Sequence, residues 1–386
     1  MNKFCISKSC GVRSIMLLTA FLFPIATSAV VVIPIDDMFL ILPTKSPSTE
    51  PIQDTSYRNF KEIGLNPQTL PNWADARAYG SFSGSGHTDL FTASLTYWPP
   101  TTPAEATPSV FQFWLKQADG TFIEDKHLLS SNEGCIHPRK AVVADFNLDG
   151  HPDIFVACHG WDAPPFPGEN NKILLSQTDS TYLVKNASKD IGFFHSVAAA
   201  DLNGDDYPDV IVANNFDPES VFVLLNDGNG SFYRESISRL PSSIYGKNYF
   251  SVELVDINGD EKLDILLGGH EWEGANTVAI INPGSNDFSG ITPTIIPPVS
   301  NEGVVLDFVV TRNDEGIDIW ILRTSGGDGT FYQSRTVQKV NWPSLVSTIP
   351  LNERPERWVP WIIPSILNKG KFITTDNAAD GVTIPQ

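Results

Sequence analysis

The sequence predicts an all-β chain folded as a β-propeller, with six blades and seven as the alternative. Three observations carry that expectation: an acidic loop written three times, a period near 55 residues, and Gly-centred turns between short apolar runs.

The three acidic loops are Asp145-Phe-Asn147-Leu-Asp149-Gly-His151-Pro-Asp153, Asp201-Leu-Asn203-Gly-Asp205-Asp-Tyr207-Pro-Asp209 and Asp256-Ile-Asn258-Gly-Asp260-Glu-Lys262-Leu-Asp264. Each puts oxygen side chains at loop positions 1, 3, 5 and 9, and position 7 (His151, Tyr207, Lys262) is counted with the set. A hard cation such as Ca²⁺ takes about six to eight oxygens, and alternate residues of a tight turn converge on it. An EF-hand would close with a Glu at position 12 between two helices. Here the closing acid stands at position 9, and β-branched runs follow (154–157, 210–213, 265–267), so each loop joins two strands. About three Ca²⁺ ions are expected.

The closing acids at 153, 209 and 264 are 56 and 55 residues apart, and two further steps of 54 reach Asp318 and Phe372. A backward step of 64 reaches Asp89, lengthened by the Pro-rich stretch 98–108. Six units result. Within a unit, Val221 to Leu225, then Asn226-Asp-Gly-Asn-Gly230, then Ser231 to Arg234 reads as a hairpin whose glycines supply positive φ. Val110 to Leu115 followed by 118–122 repeats the signal. No segment holds a capped 3.6-residue apolar period, so few helices are expected. The fourth-strand text of 55–60 has no unit before it and is expected to pair beside 382–384, closing the ring and removing an open edge.

These loops and the Leu-Leu-Asn-Asp-Gly-Asn-Gly-Ser-Phe hairpin resemble the FG-GAP/VCBS repeats of integrin-α-like propellers over roughly residues 54–386. The resemblance implies a calcium loop between the first two strands of a blade, and a ligand-binding scaffold more often than an enzyme.

Residues 1–29 read as a secretory signal: Lys3, Lys8 and Arg13, an apolar stretch 15–23, and Ala26-Thr-Ser-Ala29 as the cleavage site. The alternative is an N-terminal membrane anchor. Pro34, Asp36 and Asp37 interrupt the next apolar stretch, and 30–53 reads as a linker or N-terminal extension before the propeller at 54–386. The expected location is secreted, periplasmic or extracellular, with no membrane insertion after cleavage. The net charge of −19 argues against nucleic acid and anionic lipid as partners. Beyond the signal only Cys135 and Cys158 remain, at the same end of a strand pair, where either a disulfide or two buried thiols fits. No zinc-type Cys or His spacing is present.

Degenerate loops should bind calcium weakly or not at all. Ser81, Ser83 and Ser85 leave Asp89 as the one carboxylate of the first, and Arg312 in the fifth should pair with Asp314 or Asp318.

Strand order sends the starts of first strands and the ends of second strands to the mouth opposite the calcium loops. There the sequence places Tyr97, Trp98, His137, Arg139, His159, Trp161, Asp162, His195, Asn215, His270, Glu271 and Trp272. Aromatic and polar groups together suit a glycan or protein ligand, and the chain is expected to be a recognition or adhesion module, not an enzyme. Two alternatives stand beside it: a polysaccharide lyase or hydrolase using the mouth histidines, and a structural propeller whose channel these residues plug.

Overall fold

The computed structural model describes residues 76–95, 106–119, 121–215, 217–313, 316–327, 329–354, 361–364, 372–375 and 382–384. The signal, the linker, Tyr97, Trp98 and the closing strand expected at 55–60 lie outside the described residues.

Strands follow one another almost without helix, and among the described residues only two three-residue 3-10 turns interrupt them. The first sheet runs β1 (Ala76–Gly80), β2 (Asp89–Ala93), then past the short β3 (Ser109–Val110) to β4 (Gln112–Lys116) and β5 (Phe122–Asp125); β3 pairs instead with β6 (Gly134–Cys135). Next come β7 (Pro138–Ala144), β8 (Asp153–Cys158), β9 (Glu169–Ser176), β10 (Tyr182–Ala200), β11 (Asp209–Asn215), β12 (Val221–Asn226) and β13 (Phe232–Arg234). They form one seven-stranded antiparallel sheet. Two four-stranded sheets follow: β14 (Tyr249–Val255) to β15 (Asp264–Gly269), β16 (Val278–Ile280) and β17 (Thr294–Ile295), then β18 (Val304–Asn313) to β19 (Gly316–Thr324), β20 (Arg335–Trp342) and β21 (Ser347–Glu353). The last has three described strands, β22 (Trp361–Pro364), β23 (Phe372–Thr375) and β24 (Val382–Ile384).

Two expected units thus share a sheet. The 19-residue β10 pairs with β9 through its first half and with β11 through its second. No proline or glycine pair breaks 186–191, and Asn170 donates to the Ser188 and Asp190 carbonyls across the irregular stretch.

Apolar clusters fill the spaces between successive sheets. Ile154, Val156 and Cys158 of β8 face the first unit with Phe91 and Phe113, while Phe155 and Ala157 face the other way with Phe194 and Val212. Alternate residues of one strand therefore serve two cores. That double burial explains the unbroken apolar runs after each acidic loop. Similar clusters join Ile211 and Val223 to Val252 and Ile265, and Leu266 to Phe308 and Ile319.

The first strands carry a repeated irregularity. Pairing slips between Pro138 and Lys140, Phe194 and Ser196, Tyr249 and Ser251, and Val305 and Asp307. The residues skipped are Arg139, His195, Phe250 and Leu306. A bulge bends its strand and re-aims the extra side chain. Among the described residues, no helix is long and apolar enough to cross a membrane.

Candidate functional site

The acidic loops connect β7 to β8, β10 to β11 and β14 to β15. In the first, the Asp145 carboxylate accepts the N–H groups of Asp149 and Gly150 at 3.0 and 2.7 Å. The others repeat the turn, with Asp201 accepting from Asp206 at 3.0 Å and Asp256 from Glu261 at 3.1 Å. Asp206 and Glu261 hold φ of 74° and 67°, a region that costs a non-glycine residue free energy.

The closing acids have a second task. Asp153 accepts the backbone N–H of Phe146 and of Ser176, Asp209 those of Leu202 and Asn226, and Asp264 those of Ile257 and Asn282. Each ties its loop to the far end of the neighbouring strand. Burial pushes Asp153 and Asp209 up to about 7 and Asp264 to about 6, against the pull of these hydrogen bonds. Asp89 in the serine loop does the same, accepting from Ser83 and Lys116.

Arg312 pairs differently from expectation. Its guanidinium lies 3.2 Å from Asp256, the opening acid of the neighbouring unit's loop, while Asp318 takes Lys339 at 2.8 Å. Asp314 lies outside the described residues. Arg312 ends a first strand, and a side chain of that length spans to the adjacent loop.

At the opposite end, the His159 N–H donates to the His137 carbonyl at 2.8 Å, one step beyond the last β7–β8 pair. Cys135 and Cys158 are bonded beside them, with Cα atoms 5.8 Å apart. From there a file of rings crosses the mouth. His137 and His159 centroids are 5.0 Å apart, His159 and His195 4.4 Å, His195 and Phe250 4.3 Å, and Phe250 and His270 4.3 Å. Trp272 stacks on His270 at 4.2 Å. Two of these rings, His195 and Phe250, are bulge residues. Arg139, a third, approaches His137 Nε2 at 3.2 Å.

Burial holds His159 and His195 well below 6.5, and the neighbouring cations add to it, so both rings are neutral at pH 7. His270 is also lowered by burial, although Glu273 opposes the shift. Its Nδ1 lies 2.9 Å from a Glu273 carboxylate oxygen and its Nε2 3.0 Å from the Tyr332 hydroxyl. Glu273 is partly desolvated, yet Asn248 and His270 hold its carboxyl below the usual range. Nδ1 therefore carries the proton, and Nε2 accepts from Tyr332. Burial raises Tyr332 to about 12; Asp162 and Glu273 push the same way and Arg139 opposes them. Tyr332 sits at φ 58°, a strained value for an aromatic residue.

Three expected mouth residues have other duties. Glu271 lies 2.9 Å from the fully buried Arg323 and accepts from Thr277, so its carboxylate balances an interior cation. Trp161 is 6% exposed, packed with Ala106 and Ala163 rather than standing on a rim. Asn215 is buried, and its Oδ1 has no hydrogen-bond partner among the described residues. Asp162 and Trp272 are exposed. Trp272 lies so flat that a Cβ on Gly326 would meet its ring at 2.3 Å.

Sequence reasoning missed Phe250, Glu273 and Tyr332. Phe250 stands 55 residues after His195 and was recoverable from the period. Tyr332 ends Gly329-Thr-Phe-Tyr332, a copy of the hairpin text Gly230-Ser-Phe-Tyr233, and was recoverable from that likeness as a turn residue, though not as a partner of His270.

Residues 201–267, spanning the second and third acidic loops, match the FG-GAP-like repeat family. No curated protein matches the chain. Among solved structures, it is similar to a Bacteroides uniformis protein assigned as a 6-phosphogluconolactonase, at 8% identity and a TM-score of 0.50 over 81% of each chain. A Bacteroides fragilis protein with the same assignment aligns at 10% identity and a TM-score of 0.44, covering 81% of this chain and 83% of that one. A periplasmic gluconolactonase of Pseudomonas aeruginosa aligns at 13% and 0.44, covering 77% and 81%. The expectation of a recognition or adhesion module, not an enzyme, is corrected here: the first of these structures, which shares the fold of this chain, is named for a lactonase. The chain has an all-β, propeller-like fold of several sheets and carries an FG-GAP-like repeat at 201–267.

Proposed function

We propose that this protein is an exported hydrolase that opens an ester or lactone bond at the mouth lined by the histidines. The observation that carries the proposal is His270 held between Glu273 and Tyr332 at 2.9 and 3.0 Å. A carboxylate that fixes the tautomer of a neutral imidazole, whose other nitrogen meets a hydroxyl, is an acid–base arrangement.

Water at the phenol oxygen gives up a proton through Tyr332 to His270 Nε2 as its own oxygen bonds to the acyl carbon. Glu273 stabilises the imidazolium that forms. The proton then returns through Tyr332 to the alkoxide as the acyl C–O bond breaks, so ester and water become acid and alcohol. Arg139 is the cation placed to meet a carboxylate, a phosphate or the developing oxyanion. The names of the similar structures favour a sugar lactone, and a neutral and a 6-phosphorylated lactone belong in the same panel.

Around this site the six units close as a ring, and the three intact loops hold Ca²⁺ at the far end as structural ions. The repeats, the 201–267 match and the chain's basic, then apolar beginning support that reading. Hydrolysis of aliphatic lactones, sugar lactones and aryl esters, followed by pH-stat, tests it. Activity on at least one, lost in His270→Gln and Tyr332→Phe, is the expected result. No hydrolysis across the panel, or hydrolysis indifferent to both substitutions, overturns it.

A further inference from the structure

The mouth holds a second constellation that shares no residue with the His270 relay. His137, His159 and Asp162 each offer one ligand atom, and the three atoms lie within 4.8 Å of one another. They are far apart in character: two buried imidazoles on adjacent strand ends and an exposed carboxylate on the loop after β8. We propose that they form a binding site for one borderline divalent cation of the Zn²⁺ class, distinct from the calcium loops.

The donor set decides the class of ion. Calcium is held by oxygen atoms, about six to eight of them. Two imidazole nitrogens and one carboxylate oxygen instead suit zinc or cobalt, and three protein ligands leave a coordination position open to the mouth.

The chain holds the three residues in place without an ion. His137 and His159 are joined by the 2.8 Å backbone hydrogen bond, and the Cys135–Cys158 bond closes the same two strands beside them. His159 Nδ1 lies 3.4 Å from the Gly160 carbonyl, which directs Nε2 away as the ligand atom. Asp162 follows the buried Trp161, and Gly160 at φ 79° lets the loop turn so tightly that a Cβ there would meet the Gly168 carbonyl at 2.7 Å. Asp162 is therefore an exposed side chain on an anchored backbone. The disulfide sulfurs beside Glu169 are joined to one another and offer no thiolate.

Arg139 opposes the ion. Its guanidinium meets His137 Nε2 at 3.2 Å, so a cation taking that nitrogen displaces it, and a cation taking Nδ1 binds beside its charge. Either way, removing the charge should tighten binding.

The test uses the full-length protein held in millimolar Ca²⁺ so that the loops do not compete. Zn²⁺ is titrated calorimetrically, and Co²⁺ is followed by its visible d–d absorption. One transition ion per chain is expected beyond the calcium. Asp162→Asn, at an exposed position, should weaken it by about tenfold or more, His137→Gln further, and Arg139→Gln should strengthen it. Near-ultraviolet circular dichroism confirms that each variant is folded. The proposal is overturned if no Zn²⁺ or Co²⁺ binds in excess calcium, or if Asp162→Asn binds as tightly as the parent. Because the readout is the ion itself, the result stands whether or not the protein hydrolyses anything.

Discussion

Arg312 Nη2 lies 3.2 Å from Asp256 Oδ2, so the opening acid of the third acidic loop is already neutralised by a cation from the next unit. A guanidinium and a metal ion compete for the same oxygen. Calcium should therefore bind the 256–264 loop more weakly than the other two. Arg312→Gln is expected to raise affinity there by about tenfold, the effect of removing one nearby positive charge. Calcium calorimetry should resolve two tight sites and one weak site in the parent, and three similar sites in the variant.

The His270 relay gives graded expectations in initial rate. His270→Gln should lower hydrolysis by about 10²–10⁴-fold, the usual range for a positioned general base. Tyr332→Phe should cost a similar factor, and Glu273→Gln less, since the imidazole keeps a partner but loses its preferred tautomer. Thermal melts of the Glu273 and Tyr332 variants should stay close to the parent, because Glu273 is 41% exposed and Tyr332 lies outside the strands.

Glu271 and Trp161 should behave as structural residues. Glu271→Ala strands the fully buried Arg323 beside Gln338 and Thr277, and a broken buried pair typically costs about 3–5 kcal/mol. Trp161→Ala opens a cavity under the loop and should cost about 3–5 kcal/mol. Urea midpoints measure both, and a shift below a few tenths of a molar would contradict the assignment.

Asp307 predicts a pH dependence. Burial raises its carboxyl to about 8; Glu253 pushes the same way and Lys140 opposes, while the Ile362 N–H donates to it at 3.0 Å. The folded pKa exceeds the unfolded one, so the fold is favoured below the unfolded value and loses that stability as pH rises through about 8. Melting temperature should fall from pH 4 to pH 9 in the parent. Asp307→Asn, which keeps an acceptor for Ile362, should flatten the fall.

What the sequence revealed depended on how local each feature is. The loops lie within nine consecutive residues, so Asp145 to Asp153 was legible at sight. His137, His159, His195 and His270 were placed at one mouth by strand order, because the period is long and the connections short. Arg323, the partner of Glu271, is 52 residues away, and Tyr332 meets His270 across 62; the period sets neighbouring units side by side without fixing which of their side chains pair. The bulges hid behind the same limit: Arg139, His195 and Phe250 share a repeat position, yet nothing in their identities announces a slipped register.

The uninterrupted run of β10 has a consequence for how the chain comes apart. Repeat proteins usually fray unit by unit, each contributing its own stability and one interface. Here a single strand supplies backbone hydrogen bonds to β9 on one side and β11 on the other, so neither unit can open without breaking a strand that the other holds. Amide exchange across 138–234 should follow one shared opening event, slower than exchange in the β14–β17 sheet. The second and third units would then act as the single cooperative block against which the rest of the chain melts.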